Sequence, residues 1–380
     1  MDIKNIQIKL PLSKPYFDSE DLEEIQKVLR SGWVTMGPKV KELEDKVAGY
    51  LGISHAVAVT NCTSALHLAL LAIGIKSGDE VLVPDYTFPA TAHAVLYCNA
   101  KPVFVDINPK TYNVDPDLIE GKITKRTKAI IVVHTFGQPA EMERIMKIAG
   151  KHNLKVIEDA ACALGAKCKD KFAGTIGNVG CFSFHGRKSI TTGEGGMVVT
   201  SDRGLAEKVR SLSVFGKALS ESGTQESKKG TSISEFTTLG YNYKMSDIAA
   251  ALGIAQLKKL DKIVEKRQYL AKYWDAKLKD IELITTPYVD GGVKHIYQSY
   301  VVLLDKRLDR NRIIKMLAER GIQTQIGTYA LHAEPVYSSA DVCANSLDVF
   351  KRALSLPMYY ALDKNDIDIA TEVIKDVLKR

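Results

Sequence analysis

Cys181 to Thr200 reads C-F-S-F-H-G-R-K-S-I-T-T-G-E-G-G-M-V-V-T, and this stretch sets one lysine, Lys188, between two apolar runs and ahead of a glycine-rich turn. Val179 to Phe184 reads as a buried strand and Met197 to Thr200 as a second. A lysine between strands is not on a solvated helix face. The ends of strands are where α/β proteins keep their chemistry. An amine becomes useful there once it loses its proton or condenses with an aldehyde, as in a Schiff base with pyridoxal phosphate (PLP).

Working outward, the same rhythm extends back to residue 55. His55 to Thr60, Glu80 to Val83, Pro102 to Asp106, Ala129 to His134 and Lys155 to Asp159 are short apolar runs, with helical stretches such as Ser64 to Ile73 and Ala140 to His152 between them. Seven strands alternating with helices predict an α/β fold whose large domain holds a mostly parallel seven-stranded sheet flanked by helices. Ser19 to Arg30 reads as an amphipathic helix with Leu22, Ile25 and Leu29 on one face and Gly32 as its stop. Lys217 to Ser232, rich in Ser, Gly and Lys, reads as a mobile surface loop. One long helix is expected behind Ser246 as N-cap, turning Ile248, Leu252, Ala255 and Leu260 toward a core. The domain boundary falls along it, giving a large domain over 1–255 and a smaller α+β C-terminal domain over 256–380. That second unit is expected to hold a strand at Ser299 to Leu304 and helices at Arg310 to Arg320 and Ile367 to Leu378.

Composition narrows the class. The chain has 380 residues, more than one core usually serves. Its 52 basic and 45 acidic residues leave a net charge of +7, spread along the sequence. That balance suits an anionic small molecule, and no nucleic-acid partner is expected. Lysines and an aspartate interrupt the first 14 residues, so no signal-peptide core is expected, and no apolar run approaches the roughly 20 residues of a membrane span. A cytoplasmic protein without a membrane contact is the expectation. The six cysteines show no C-x-x-C pair and no His/Cys ligand spacing, so neither disulfides nor a metal site is expected.

A PLP site needs a carboxylate for the pyridine nitrogen, a phosphate cup and a wall for the ring. Asp159 closes the run K-V-I-E-D and is followed by two alanines; an ordinary turn or cap role competes for it. Asn61-Cys62-Thr63-Ser64 leads from a strand into an apolar helix, where backbone N–H groups and the hydroxyls of Thr63 and Ser64 can receive a phosphate, though N-capping explains these residues equally well. Ser183 adds a third hydroxyl. Phe88 can cover a ring face, while a place in the core is its commoner fate. No G-x-G-x-x-G follows the first strand and no G-x-x-x-x-G-K-[ST] occurs, which removes the main support for dinucleotide and nucleoside triphosphate binding.

Taken together, the motifs resemble the DegT/DnrJ/EryC1/StrS sugar aminotransferases, PLP enzymes of the aspartate aminotransferase fold type I. The likeness covers almost the whole chain: S-G-W-V-T-M-G-P-K-V at 31–40, N-C-T-S-A-L at 61–66, P-V-F-V-D-I at 102–107, H-T-F-G-Q-P at 134–139, I-E-D-A-A at 157–161, the Lys188 stretch, G-Y-N-Y-K-M-S-D-I at 240–248 and L-S-L-P-M-Y at 354–359. The resemblance implies that Lys188 is the Schiff-base lysine and proton shuttle, that Asp159 holds the pyridine nitrogen, that Phe88 stacks on the ring, and that Thr63, Ser64 and Ser183 bind the phosphate. It implies that Asn242 is lent to that phosphate by a neighbouring subunit, so that a homodimer shares its active sites. Thr35, Gly37, His185, Tyr329 and His332 are implied near the sugar nucleotide.

Two residues depart from the family pattern. Cys62 stands where many relatives carry glycine, and Cys162 where relatives often carry Gln or His near the 3'-oxygen of the cofactor; Cys162 remains a cofactor contact in this reading. Members that dehydrate the sugar replace the lysine with histidine, whereas this chain keeps Lys188. The I-T-T-G-E-G-G after it is similar to the branch acting at C4 of 4-keto-6-deoxy sugars, as in perosamine synthases. The expected reaction is ping-pong amino transfer from L-glutamate to a nucleotide-linked keto sugar. Action at C3, action on a cyclitol ketone, and a non-catalytic regulatory role are the alternatives.

Overall fold

The computed structural model describes residues 8–218, 234–337 and 339–379, so most of the expected loop at Lys217 to Ser232 lies outside the described residues. A seven-stranded sheet organises the first half: β1 His55–Val59, β2 Glu80–Pro84, β3 Lys101–Val105, β4 Thr127–Val133, β5 Lys155–Asp159, β6 Val179–Ser183 and β7 Gly196–Thr200, in the order β1-β7-β6-β5-β4-β2-β3. The run β6-β5-β4-β2-β3 is parallel. β7 is antiparallel to both its neighbours. All five residues of β2, β6 and β7 are buried, as expected for strands covered on both faces.

Period-2 alternation sends neighbouring residues of one strand into different cores. Val57 and Val59 join a cluster with the apolar helix α3 (Cys62–Ala72), while Ala56 and Ala58 join a cluster with Leu43 and Val47 of α2 (Pro38–Leu51). Ile131 faces α3, and Ile130 and Val132 face Ile145 of α5 (Met142–Lys151). The helix α4 (Ala90–Tyr97) lies between β2 and β3 in sequence, and α6 (Arg203–Ser213) follows β7.

Two helical expectations are corrected. The first helix, α1 (Ser19–Ser31), ends at Gly32 in the left-handed conformation as the sequence predicts. However, its Leu22 and Leu29 are exposed, and Asp21, Glu24 and Val28 turn inward. Partners explain the inversion: Asp21 accepts from Gln256 Nε2 at 2.9 Å and from Lys259 Nζ at 2.6 Å, so buried polar groups are satisfied across α1 and α7 (Asp247–Leu257). The long helix behind Ser246 is in fact two, α7 and α8 (Leu260–Leu278), although Ser246 does cap the first by accepting from the amide of Ala249. No Gly or Pro marks the break; it falls where Lys259 turns to Asp18 and Asp21.

The second core gathers around a four-stranded antiparallel sheet, β8 Ile284–Thr285, β9 Tyr300–Leu304, β10 Gln325–Ile326 and β11 Ala353–Leu356, ordered β8-β9-β11-β10. Trp274 of α8, Tyr300, Leu317 of α9 (Arg310–Glu319) and Ile374 of the last helix, Lys364–Leu378, pack there together with Leu10 from the other end of the chain. Among the described residues no helix is long and apolar enough to cross a membrane.

Candidate active site

Strand geometry brings the central residues together. β5 and β6 are parallel neighbours with Asp159 opposite Cys181, so Asp159 and Ser183 both close at the same edge of the sheet. The chain then loops out through Lys188, whose amide donates to the His185 carbonyl at 2.9 Å, and returns where the Thr192 amide donates to Phe184 O, also at 2.9 Å. That loop turns Lys188 back toward β5: its Nζ donates to Cys162 Sγ at 3.1 Å, three residues past Asp159.

Asp159 is 6% exposed, accepts from Thr91 Oγ1 at 2.8 Å and from the Ala161 amide at 3.2 Å, and has Lys188 as its nearby cation. Burial outweighs these contacts and holds its carboxyl above the usual range. A protonated pyridine nitrogen supplies the kind of counter-charge this carboxylate lacks, so the residue suits PLP. His134 is already engaged. Its Nδ1 accepts from the Ala140 amide at 3.1 Å, which leaves Nε2 to donate to Glu158 at 2.8 Å. Burial also works against the charge on Lys188, but the Cys162 thiol, with Cys62 and Asp159 behind it, outweighs burial and raises the amine above its ordinary value.

The start of α3 forms the second part of the site. The N-cap is Asn61, whose side chain accepts from the Ser64 amide at 2.8 Å, not Thr63 or Ser64. The amides of Cys62 and Thr63 then have no intrahelical acceptor and sit at the positive end of the helix. Gly196 permits this placement. A Cβ there would lie 2.4 Å from the Asn61 carbonyl carbon and 2.7 Å from the Cys62 nitrogen, so only glycine lets β7 approach the turn. Ser64 is buried with its hydroxyl 3.1 Å from that of Thr60, Thr63 is half-buried, and Ser183 accepts from the His185 amide at 3.4 Å. An open cleft of about 580 Å³ lies over this turn, lined by Asn61, Thr63, Ser64, His67, Tyr97, Tyr241 and Tyr243. Cys62 itself is buried in the core cluster beneath α3. The cleft of about 610 Å³ beside Arg144 and Tyr288 is lined by none of the expected site residues.

The remaining expected residues are spread over a rim. Phe88 is 63% exposed, unlike a core phenylalanine, and stands edge-on to Tyr329 at 6.3 Å across the two-stranded pairing of Tyr86–Thr87 with Tyr329–Ala330. His332 is bound twice by Asp85: its amide donates to Oδ1 at 2.6 Å and its Nδ1 lies 2.7 Å from Oδ2. His185 is exposed, with Nε2 3.8 Å from Glu194. Thr35 is exposed and offers its carbonyl to the Asp247 amide at 3.1 Å. Packing accounts for Gly37: a Cβ would meet Trp33 Nε1 at 2.0 Å, and the Gly37 amide donates to Asp247 at 2.9 Å. Asn242 is exposed; it alternates with Tyr241 and Tyr243, whose rings stack at 5.0 Å over the cleft, so it points the other way, where Lys244 Nζ donates to it.

Several supporting residues escaped the sequence reading. Thr91 orients Asp159 and is backed by Thr87 at 3.0 Å; their i, i+4 hydroxyls in T-F-P-A-T were the available signal. Asp85, fully buried at the end of β2, and Asp247, which binds the amides of Gly37, Lys39 and Val40, gave no local signal beyond an acid after a strand or in a helix start. Arg267 of α8 reaches the site from afar: it is buried, donates to the carbonyls of Tyr297 and Gln298 at 3.2 and 2.7 Å, and burial pushes its pKa down to about 10.

The model of the DegT/DnrJ/EryC1/StrS aminotransferase family matches residues 15–376. Among relatives, the spore coat polysaccharide biosynthesis protein SpsC of Bacillus subtilis is 38% identical over 380 residues, covering 97% of each chain. A GDP-perosamine synthase of Caulobacter vibrioides is 37% identical over 378 residues, covering 97% of this chain and 98% of that one. Among solved structures, the putative sugar aminotransferase Spr1654 of Streptococcus pneumoniae in its PLP form superposes with a TM-score of 0.90 at 27% identity, covering 97% of this chain and 98% of that one. With a family match from end to end and a strand-edge site that suits the cofactor, the chain belongs to the DegT/DnrJ/EryC1/StrS aminotransferase family and is a PLP-dependent enzyme.

Proposed function

We propose that this aminotransferase moves the amino group of L-glutamate to C4 of a nucleotide-linked 4-keto-6-deoxyhexose, the perosamine-type reaction. The observation that carries the reading is the convergence of Lys188 and Cys162 at 3.1 Å beside buried Asp159, on the strand edge where the I-T-T-G-E-G-G stretch follows the lysine. The relatedness to a GDP-perosamine synthase and to a spore coat polysaccharide protein supports a nucleotide sugar as acceptor.

PLP, when bound, supplies an electron sink that lets an amino group pass between two carbon skeletons. Lys188 would anchor the cofactor through its Nζ and would hold and pass on the transferred proton at that same amine. Asp159 would keep a proton on the pyridine nitrogen, and Thr91 and the Ala161 amide fix the direction of its carboxylate. The first turn of α3, with Thr63, Ser64 and Ser183, receives the phosphate dianion. Cys162 and Phe88 would be further contacts of the bound cofactor, at its 3'-oxygen and one ring face, and Thr35, Gly37, His185, Tyr329 and His332 would border the sugar nucleotide. Asn242 serves the phosphate of a second copy in a homodimer; its outward direction supports this, as do the exposed Leu22, Leu29, Trp33 and Leu239.

The test is spectroscopic. Purified protein with PLP absorbs in the near-visible, loses that band with glutamate, and regains it with a nucleotide-linked 4-keto-6-deoxyhexose; NMR of the product puts the new amine on C4. A product aminated at C3 removes the C4 assignment, and a protein that never takes up the chromophore removes the enzyme.

A further inference from the structure

Lys188 and Cys162 raise a second question, because their contact sets an amine against a thiol. The Nζ–Sγ distance is 3.1 Å, and neither residue is fully shut off from the surface. Four of the other cysteines, Cys62, Cys98, Cys181 and Cys343, are buried. Cys168, also half-buried, lies on a short hairpin beside Lys167 and Lys171, with Lys169, Glu143 and Glu158 as its charged neighbours. Around Cys162 the fold is tight: its carbonyl and the Gln298 amide crowd Gly137, and Gln298 Nε2 donates to the Arg187 carbonyl at 2.9 Å, which pins the loop carrying the lysine.

We propose that Cys162 and Lys188 form a reversible sulfur–nitrogen crosslink when a peroxide meets the chain with the lysine amine free. Hydrogen peroxide oxidises the Cys162 thiol to a sulfenic acid and leaves as one water. The Lys188 amine attacks that sulfur, the sulfenic hydroxyl departs with the amine proton as a second water, and an S–N bond remains. Peroxide is thereby reduced to two waters while thiol and amine give up one hydrogen each. Added thiol reverses the step, returning Cys162 and Lys188 and forming its own disulfide.

Two features favour condensation over further oxidation. A sulfenic acid either meets a nucleophile or proceeds to the irreversible sulfinic acid, and here an amine already stands at contact distance. The charge on that amine is also sustained by Cys162 against burial. Burial works against that charge, which favours the neutral, nucleophilic form of the amine once its proton is lost. A buried guanidinium nearby, Arg267, has an unpartnered Nε and opposes a second positive charge in the same place.

The chemistry stands on the contact alone, whereas its consequence, a chain unable to load its cofactor, rests on the function proposed above. The experiment treats the full chain, cofactor-free and cofactor-loaded, with hydrogen peroxide, then maps peptides by mass spectrometry. In the cofactor-free chain a linked pair containing Cys162 and Lys188 is expected, lighter than the sum of the two peptides by about 2 Da for two lost hydrogens. Dithiothreitol removes it, Cys162→Ser lacks it, and Cys168 in the same sample carries only added oxygen. The cofactor-loaded chain shows at least about tenfold less linked pair, because the amine is occupied. Cys162 bearing only added oxygens, or no change at Cys162 while Cys168 oxidises, overturns the crosslink in the wild-type chain without reference to any variant. A linked pair that leaves chromophore formation with added PLP undiminished upholds the crosslink and overturns Lys188 as the cofactor's anchor.

Discussion

The strand edge around Asp159 and the rim around Phe88, Tyr329 and Asn242 are built in opposite ways. At the edge the polar groups are buried or half-buried and held by partners nearby in the fold: Asp159 by Thr91 and Ala161, Lys188 by Cys162, Ser64 by Thr60. On the rim the side chains are open, as at Phe88 and Asn242, or are tied to a structural acid, as His332 is to Asp85. On the function proposed above, the pre-set edge is what fixes the chemistry, and the open rim is what substrate and a second copy would complete. Rotamer order paid for during folding does not have to be found again at each turnover.

The largest expected effect breaks the edge outright. Lys188→Ala removes the covalent anchor, so the near-visible band typical of the attached cofactor is lost and the glutamate half-reaction slows at least about a thousandfold, measured by stopped-flow absorbance. Next comes Asp159→Asn, expected to slow the same step by roughly 100-fold to 1,000-fold through loss of the charge opposite the ring nitrogen. This variant also tests the burial argument. Because burial raises the Asp159 pKa in the folded chain, the native state binds the extra proton, and cofactor-free stability falls as pH rises above the ordinary value of about 3.9. Cofactor-free Asp159→Asn therefore matches wild type near pH 4 and melts higher than wild type at pH 7; equal melting at both values contradicts the assignment.

Two smaller effects sharpen the contrast. Gly196→Ala places a Cβ 2.4 Å from the Asn61 carbonyl carbon, so the first turn of α3 must shift; a loss of about 1–3 kcal/mol in urea unfolding is expected together with weaker binding of pyridoxal phosphate. Asn242→Ala, on the open rim, is expected to weaken cofactor binding about tenfold in equilibrium dialysis with the subunit's unfolding free energy unchanged within about 0.5 kcal/mol. A loss of stability as large as that of Gly196→Ala makes Asn242 part of the fold instead.

The edge was easier to read than the rim for a physical reason. Strand runs and the residues that close them are local: K-V-I-E-D ending in Asp159 and the Lys188 loop leaving β6 follow from alternation and apolar content over a few positions. What supports them is not local. Asp21 turned inward only because Gln256 and Lys259 wait for it, and no window around Leu22 contains that information. The same holds for the break between α7 and α8, which has no glycine or proline, and for Arg267, whose acceptors lie about one element downstream. Phe88 shows the converse, an aromatic that composition assigns to a core and the fold leaves open.

Asp247 connects parts of the molecule that the residue numbers keep apart. Its carboxylate grips the amides that begin α2, its own amide holds the Thr35 carbonyl, and it opens the helix that follows directly on Tyr241 to Lys244. Residues 35–40 and 241–247 are therefore one clasp. Grafting either segment alone from a relative would leave an uncompensated anion or an empty helix start, so the two halves can be exchanged only together.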